Sequence, residues 1–158
     1  MTSGRFNCLL RALAFGLIFG APALAQPQIS DNIVKIGVLN DMSGPYADIG
    51  GKGSVVAARM AIEDFGSSVL GAPIELVSAD HGNKPDVAVG IAREWFDAKQ
   101  VDVILDLFGS NVSLAVMELA KSRNRIVFIN GAGTTRITND ACTANSVHAS
   151  WDGFAQSN

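Results

Sequence analysis

The sequence predicts an α/β fold: a doubly wound, mostly parallel sheet with helices on both faces. Three observations carry that prediction. Four short apolar runs recur along the chain. The stretches between them place apolar residues three or four apart. Every run ends in a loop of small and polar residues. Continuous β-branched runs of this length read as strands buried on both faces, and the intervening stripes read as helices that cover them.

The elements follow in order. Val34 to Leu39 is the first run, and a helix from Gly53 to Phe65 carries the stripe Val55, Ala58, Ile62 and Phe65. Ile74 to Ala79 is the second run. Its helix opens on Pro85 and Asp86, a residue without an N–H and a negative charge, both suited to a first turn. That helix carries Ala88, Ile91, Ala92 and Trp95, which makes Trp95 a core residue. Val101 to Leu107 is the third run. The next helix has Ser110 or Asn111 as its cap and Val112, Ala115, Val116 and Leu119 as its stripe. Ile126 to Ile129 is the fourth run. A long loop follows, then Ser146 to His148 as a candidate fifth strand. The alternation implies right-handed crossovers and parallel neighbours.

The first 25 residues have the pattern of a secretory signal. Arg5 and Arg11 precede the apolar run Ala12–Gly20, which is too short to span a bilayer, and Ala23-Leu24-Ala25 forms a small-x-small cleavage site. Cleavage near Ala25 yields an exported, soluble mature chain that starts at Gln26. Without Arg5 and Arg11 the 12 basic residues fall to 10 against 15 acidic ones, a net charge of −5. Such a surface excludes nucleic acid as a partner, because that needs a clustered basic face. Cys8 lies in the signal, leaving Cys142 as the one mature cysteine. It is either a free thiol or half of a bridge, and in neither case part of a metal site.

The loops hold the candidate chemistry. Ser43-Gly44-Pro45-Tyr46, Asp80-His81-Gly82-Asn83, Gly109-Ser110-Asn111 and Asn130 to Thr135 all follow strands. Parallel neighbouring strands would bring them to one rim, with Ser110 and Thr134 on the same edge and Tyr46 near both. The helix starting near Ser110 offers free N–H groups to a carboxylate, and the hydroxyls of Ser110, Thr134 and Thr135 add hydrogen bonds. Each loop alone also fits an ordinary βα turn; the set of four behind an export signal points to a ligand rim. Enzyme motifs fail. Around Gly51-Lys52 a phosphate loop lacks its first glycine, which is Tyr46, and its Ser/Thr, which is Gly53. Neither a G-x-G-x-x-G after the first strand nor a G-x-S-x-G elbow is present. His81 and His148 read as hydrogen-bonded structural residues rather than bases, and Trp151 as either surface or ligand-stacking.

From Ile33 to Trp151 the chain resembles the periplasmic substrate-binding proteins of ABC importers, of the leucine/isoleucine/valine-binding type. The residues that carry the likeness are Lys35-Ile36-Gly37-Val38, Met42 to Ala47, Ala57 to Phe65, Asp80 to Asp86, and Ala92 to Trp95. The resemblance implies two α/β lobes closing on a solute, no cofactor, no catalysis, and an ABC permease in the inner membrane as partner. It assigns residues 26–32 to a mature N-terminal extension, 33–149 to an incomplete first lobe and 150–158 to the start of a crossover to a second. It places a ligand carboxylate on Ser110, Ala132 and Thr134, with Asn111 beside them. The family's aromatic position falls on Ile49, and Tyr46 is its substitute. Amino acids, amides and aromatic acids all remain open as solutes. The alternative is a ligand-sensing domain of the same fold in a regulatory protein. One lobe alone would bind weakly, since closure buries most of a small ligand.

Overall fold

Residues 30–157 are described by a computed structural model; the signal segment with Cys8, and Asn158, lie outside the described residues. The elements are β1 (Val34–Asn40), α1 (Gly51–Phe65), β2 (Ser68–Val69), β3 (Ala72–Asp80), α2 (Pro85–Asp97), β4 (Val103–Asp106), α3 (Ser110–Arg123), β5 (Ile126–Ile129), β6 (Ser146–His148) and α4 (Gly153–Ser157). They build one sheet in the order β2-β3-β1-β4-β5-β6. All pairings are parallel except β2 with β3.

Two differences from the sequence reading concern local geometry. The β2–β3 hairpin was not expected. Leu70 and Gly71 both adopt positive φ (51° and 86°), the conformation that lets a two-residue turn match the twist of its strands. A leucine in that place hides the turn from a composition-based reading. The third strand is also shorter than its apolar run. Val101 donates instead to the carbonyl of Trp95 at the end of α2, and Leu107 takes φ 47°.

The core lies between the sheet and the pair α2–α3. Leu39, Ile104, Val127 and Ile129 point into it from the strands. Ala88, Ala92, Trp95 and Phe96 come from α2, and Val112, Val116, Met117 and Ala120 from α3. The ring of Trp95 packs directly against Gly37, where a Cβ would stand 2.6 Å from its Cε3. Among the described residues, the opposite face is covered chiefly over β1 and β3, by α1. The expected burial on both faces therefore fails for β5: Val127 and Ile129 are buried while Ile126 and Phe128 are exposed, as is Val147 beside Phe128 on β6. An apolar run of four cannot distinguish one covered face from two. The α1 stripe is covered less than expected: Val55, Ala58 and Ile62 are half-buried and Phe65, at the end of the helix before Gly66, is exposed.

This asymmetry gives a stability contrast. Ile129→Ala should lose about 2–5 kcal/mol through transfer and cavity terms. Phe128→Thr, on the uncovered face of the same strand, should lose less than about 1 kcal/mol. Urea denaturation of the two variants measures the difference, and equal losses would contradict the burial pattern.

Candidate functional site

The strand order places β3 and β4 on opposite sides of β1. The chain therefore winds one way after β1 and the other way after β3, and the loops leaving β1 and β4 diverge around a crevice. Open α/β sheets take ligands at such a reversal, outside the carboxyl ends of the strands.

The β1 bank is built on two carboxylates. Asp41, fully buried, accepts the N–H of Gly44 through Oδ1 (2.7 Å) and that of Tyr46 through Oδ2 (2.9 Å), which folds Ser43–Tyr46 into a fixed turn. Asp80 at the end of β3 accepts from the N–H of Met42 (2.9 Å) and Gly82 (2.7 Å). Burial opposes its charge. The bonds from the Ser43 hydroxyl and these two N–H groups outweigh that and hold its carboxyl below the usual range.

Asn40 joins this bank to the other. Its Nδ2 donates to the Gly51 carbonyl at the start of α1 (2.8 Å) and to Asp106 Oδ2 at the end of β4 (2.5 Å). Asp106 and Leu107 both have positive φ (85° and 47°). Such backbone is held by its surroundings at a cost of about 1–3 kcal/mol per residue. The bonds Leu107 N–H to Leu39 O and Asn130 N–H to Asp106 O are part of what holds it.

The β4 bank presents Phe108 and Gly109. Phe108 fills the crevice floor between Gly50 and Gly131. A Cβ on Gly50 would lie 2.8 Å from its ring, and Gly131 is in still closer contact. Tyr46 packs on Phe108 with ring centroids 5.3 Å apart and planes tilted by 40°. Gly109 has φ 97°, and three side chains gather on it. Where its Cβ would be, Asn83 Oδ1 is 2.8 Å away, Asn111 Oδ1 3.2 Å and Tyr46 Cε2 3.6 Å.

Ser110 is the first residue of α3, not its cap. The N-cap is Gly109, which offers no side-chain cap, and Ser113 Oγ donates to its carbonyl (2.9 Å), which corrects the capping role expected for Ser110 or Asn111. Gly109's left-handed backbone cannot be reached by the pattern of Ser and Asn alone. Among the described residues, the first-turn N–H groups of α3, beside the crevice, have no side-chain cap. The Gly109 N–H bonds the Gly131 carbonyl (3.2 Å) and so ties α3 to the loop after β5. On that loop Ala132 is buried, and its carbonyl accepts from His148 Nε2 (2.7 Å). Thr134 is half-buried; its Oγ1 accepts the N–H of Arg136 (3.4 Å), capping a turn of 3-10 helix at Thr135–Ile137. Trp151 packs against Gly133, and the Gly153 N–H bonds the Gly133 carbonyl (2.8 Å).

Tyr46, Asn111 and the Ser110 turn thus share one crevice, and a backbone bond links them to the loop of Ala132 and Thr134. The sequence reading placed Asn83 in a candidate loop without a role of its own, weighed Asp106, inside the apolar run Val101–Leu107, only as a possible acid, and did not name Phe108 or Asn40 as site residues. The other end of the sheet carries a cleft of about 340 Å³ lined by Asp31, Lys35, Glu75 and Lys99. Its cations are already paired, Lys35 with Asp31 (2.7 Å) and Lys99 with Glu94 (3.0 Å). Among the described residues no cluster of His, Cys, Asp and Glu could hold a metal, and no helix is long and apolar enough to cross a membrane.

Strand order and crevice define the class: an α/β unit of the kind that takes small ligands where its winding reverses. The chain belongs to the periplasmic binding protein family, whose model matches residues 33–158. It is similar to a periplasmic binding protein from Burkholderia mallei, with 43% identity and a TM-score of 0.75 over 77% of this chain and 32% of that one. A branched chain amino acid ABC transporter periplasmic ligand-binding protein from Burkholderia xenovorans LB400 shares 45% identity, with a TM-score of 0.73 over 75% and 32%. A solute binding protein of an ABC transporter from Rhodopseudomonas palustris BisB5, in complex with 3,4-dihydroxy benzoic acid, shares 27%, with a TM-score of 0.71 over 77% and 33%. This chain spans about a third of the length of these relatives. No curated protein matches it. The family consists of solute-binding proteins, generally non-catalytic, and membership implies a periplasmic setting.

Proposed function

We propose that this chain supplies one lobe of a periplasmic solute receptor for an ABC importer, whose solutes are small carboxylates such as amino acids or aromatic acids. On this reading residues 33–149 form the first lobe and 150–158 begin the crossover to a second, behind a signal cleaved near Ala25. The observation that carries it is the gathering of Tyr46, Asn111 and the open first turn of α3 on Gly109 at the winding reversal. The N–H groups of that turn and the hydroxyls of Ser110 and Thr134 suit a carboxylate, and the Tyr46–Phe108 pair suits an apolar or aromatic body. An inner-membrane permease is the partner that such a receptor serves.

Calorimetry on the full-length protein with leucine, isoleucine, 4-hydroxybenzoate and 3,4-dihydroxybenzoate tests the reading. At least one compound should bind. Ser110→Ala and Thr134→Val should each weaken it about 10- to 100-fold, the worth of a hydrogen bond to a charged group. Binding that both substitutions leave unchanged would move the carboxylate elsewhere.

A further inference from the structure

His81 is almost fully buried directly behind β3, and its hydrogen bonds fix its tautomer. Its Nδ1 accepts the backbone N–H of Asn83 (3.0 Å), so that nitrogen carries no proton. The ring proton is on Nε2, which is buried without a partner. The main chain of His81 is pinned on both sides, its N–H on the Asn40 carbonyl and its own carbonyl on the N–H of Lys84 (both 2.9 Å). Three carboxylates lie close enough to favour a charge on the ring: Asp41 from the loop after β1, Asp80 from the end of β3 and Asp106 from the end of β4. Burial outweighs their attraction and holds the imidazole below its ordinary value of 6.5, hence neutral at neutral pH.

Asn83 links this ring to the crevice. Its backbone is left-handed (φ 54°), and its Oδ1 rests against Gly109 at the point where Tyr46 and Asn111 also meet. That oxygen is buried and accepts no hydrogen bond, so nothing on the side chain itself ties Asn83 in place through Oδ1. We propose that His81 is a positioning residue of the ligand crevice: its neutral ring, through Nδ1, holds the Asn83 turn against Gly109. A proton added at Nδ1 would meet the Asn83 N–H donor to donor. The bond is then lost, the turn is released, and the wall behind Tyr46 and Asn111 loosens. The link to ligand affinity rests on the function proposed above; the link from ring to turn does not.

The test uses the full-length protein, labelled with nitrogen-15. At neutral pH the His81 ring should show an unprotonated Nδ1 and a protonated Nε2. The Asn83 amide should exchange slowly, then lose about tenfold in protection as His81 titrates below 6.5. His81→Asn offers an oxygen that does not titrate to the same N–H two residues on, so its protection should stay flat with pH. His81→Leu should lose protection at every pH. With 4-hydroxybenzoate as probe, the affinity of the wild type should fall with the ring's midpoint, and that of His81→Asn should not. If this probe binds at no pH, the ligand reading fails for it, while the ring spectrum and the exchange data still decide the role of His81. A protonated Nδ1 at neutral pH, or Asn83 protection that does not follow the ring, would overturn the proposal. Should His81→Leu fail to fold, the wild-type titration and His81→Asn decide the same question between them.

Discussion

Trp95→Ala should be the most damaging single substitution in the core, with a loss of about 3–5 kcal/mol. The indole is nearly fully buried on α2 and lies across Gly37 in the middle of β1, so it spans the layer between helix and central strand. The same contact makes a second expectation of opposite origin. Gly37→Ala places a methyl group inside the ring's envelope, and overpacking of this kind costs about 1–3 kcal/mol. The two changes should not add. With Trp95 shortened to alanine, the room once filled by the indole accepts the methyl of Gly37→Ala, and the double variant should be more stable than the sum of the singles by about 1 kcal/mol or more. A double-mutant cycle in urea measures this coupling; strict additivity would show that ring and glycine do not define each other.

Gly109→Ala should damage the crevice and leave the core intact. The residue has φ 97°, where a side chain is strained, and its new methyl would stand 2.8 Å from Asn83 Oδ1 and 3.2 Å from Asn111 Oδ1. Strain and contact together should cost about 1–3 kcal/mol of stability. Relief comes by moving Asn83, Asn111 or the turn into α3, and each of these reshapes the crevice wall where Tyr46 and Asn111 meet Gly109. Ligand affinity should therefore fall by at least about tenfold, beyond any effect of partial unfolding. Calorimetry below the unfolding transition separates the two. Unaltered affinity would mean that the ligand does not use this turn.

The layered fold was legible because its evidence is periodic. Ala88, Ala92 and Trp95 of the α2 stripe and Val112, Val116 and Leu119 of the α3 stripe are buried, with Ile91 and Ala115 half-buried, and the strands β1, β3, β4 and β5 fall within or around the four apolar runs. Burial by one or two layers was not legible, since Ile126–Ile129 would read the same under either. The hairpin at Leu70-Gly71 and the helix start at Gly109 escaped because they depend on φ values: glycine takes either sign of φ, so its presence does not announce a positive one, and a leucine rarely takes one at all. The crevice was legible as a set of loops but not as a set of contacts. Tyr46 and Asn111 could be named from sequence, whereas Asn83 and Phe108 enter through neighbours distant along the chain. His81, an ordinary loop residue in the sequence, becomes meaningful only with its ring buried and its tautomer fixed.

Asn40 anchors both shores of the crevice with one amide, gripping Gly51 on one side and Asp106 on the other. The roots of those shores cannot spread apart without breaking the same side chain's bonds. Width at the base is thus a fixed quantity of this molecule. Tolerance for differently sized guests has to come from the outer residues, Tyr46 and the Thr134 loop, which makes those the places to alter when a new guest is wanted.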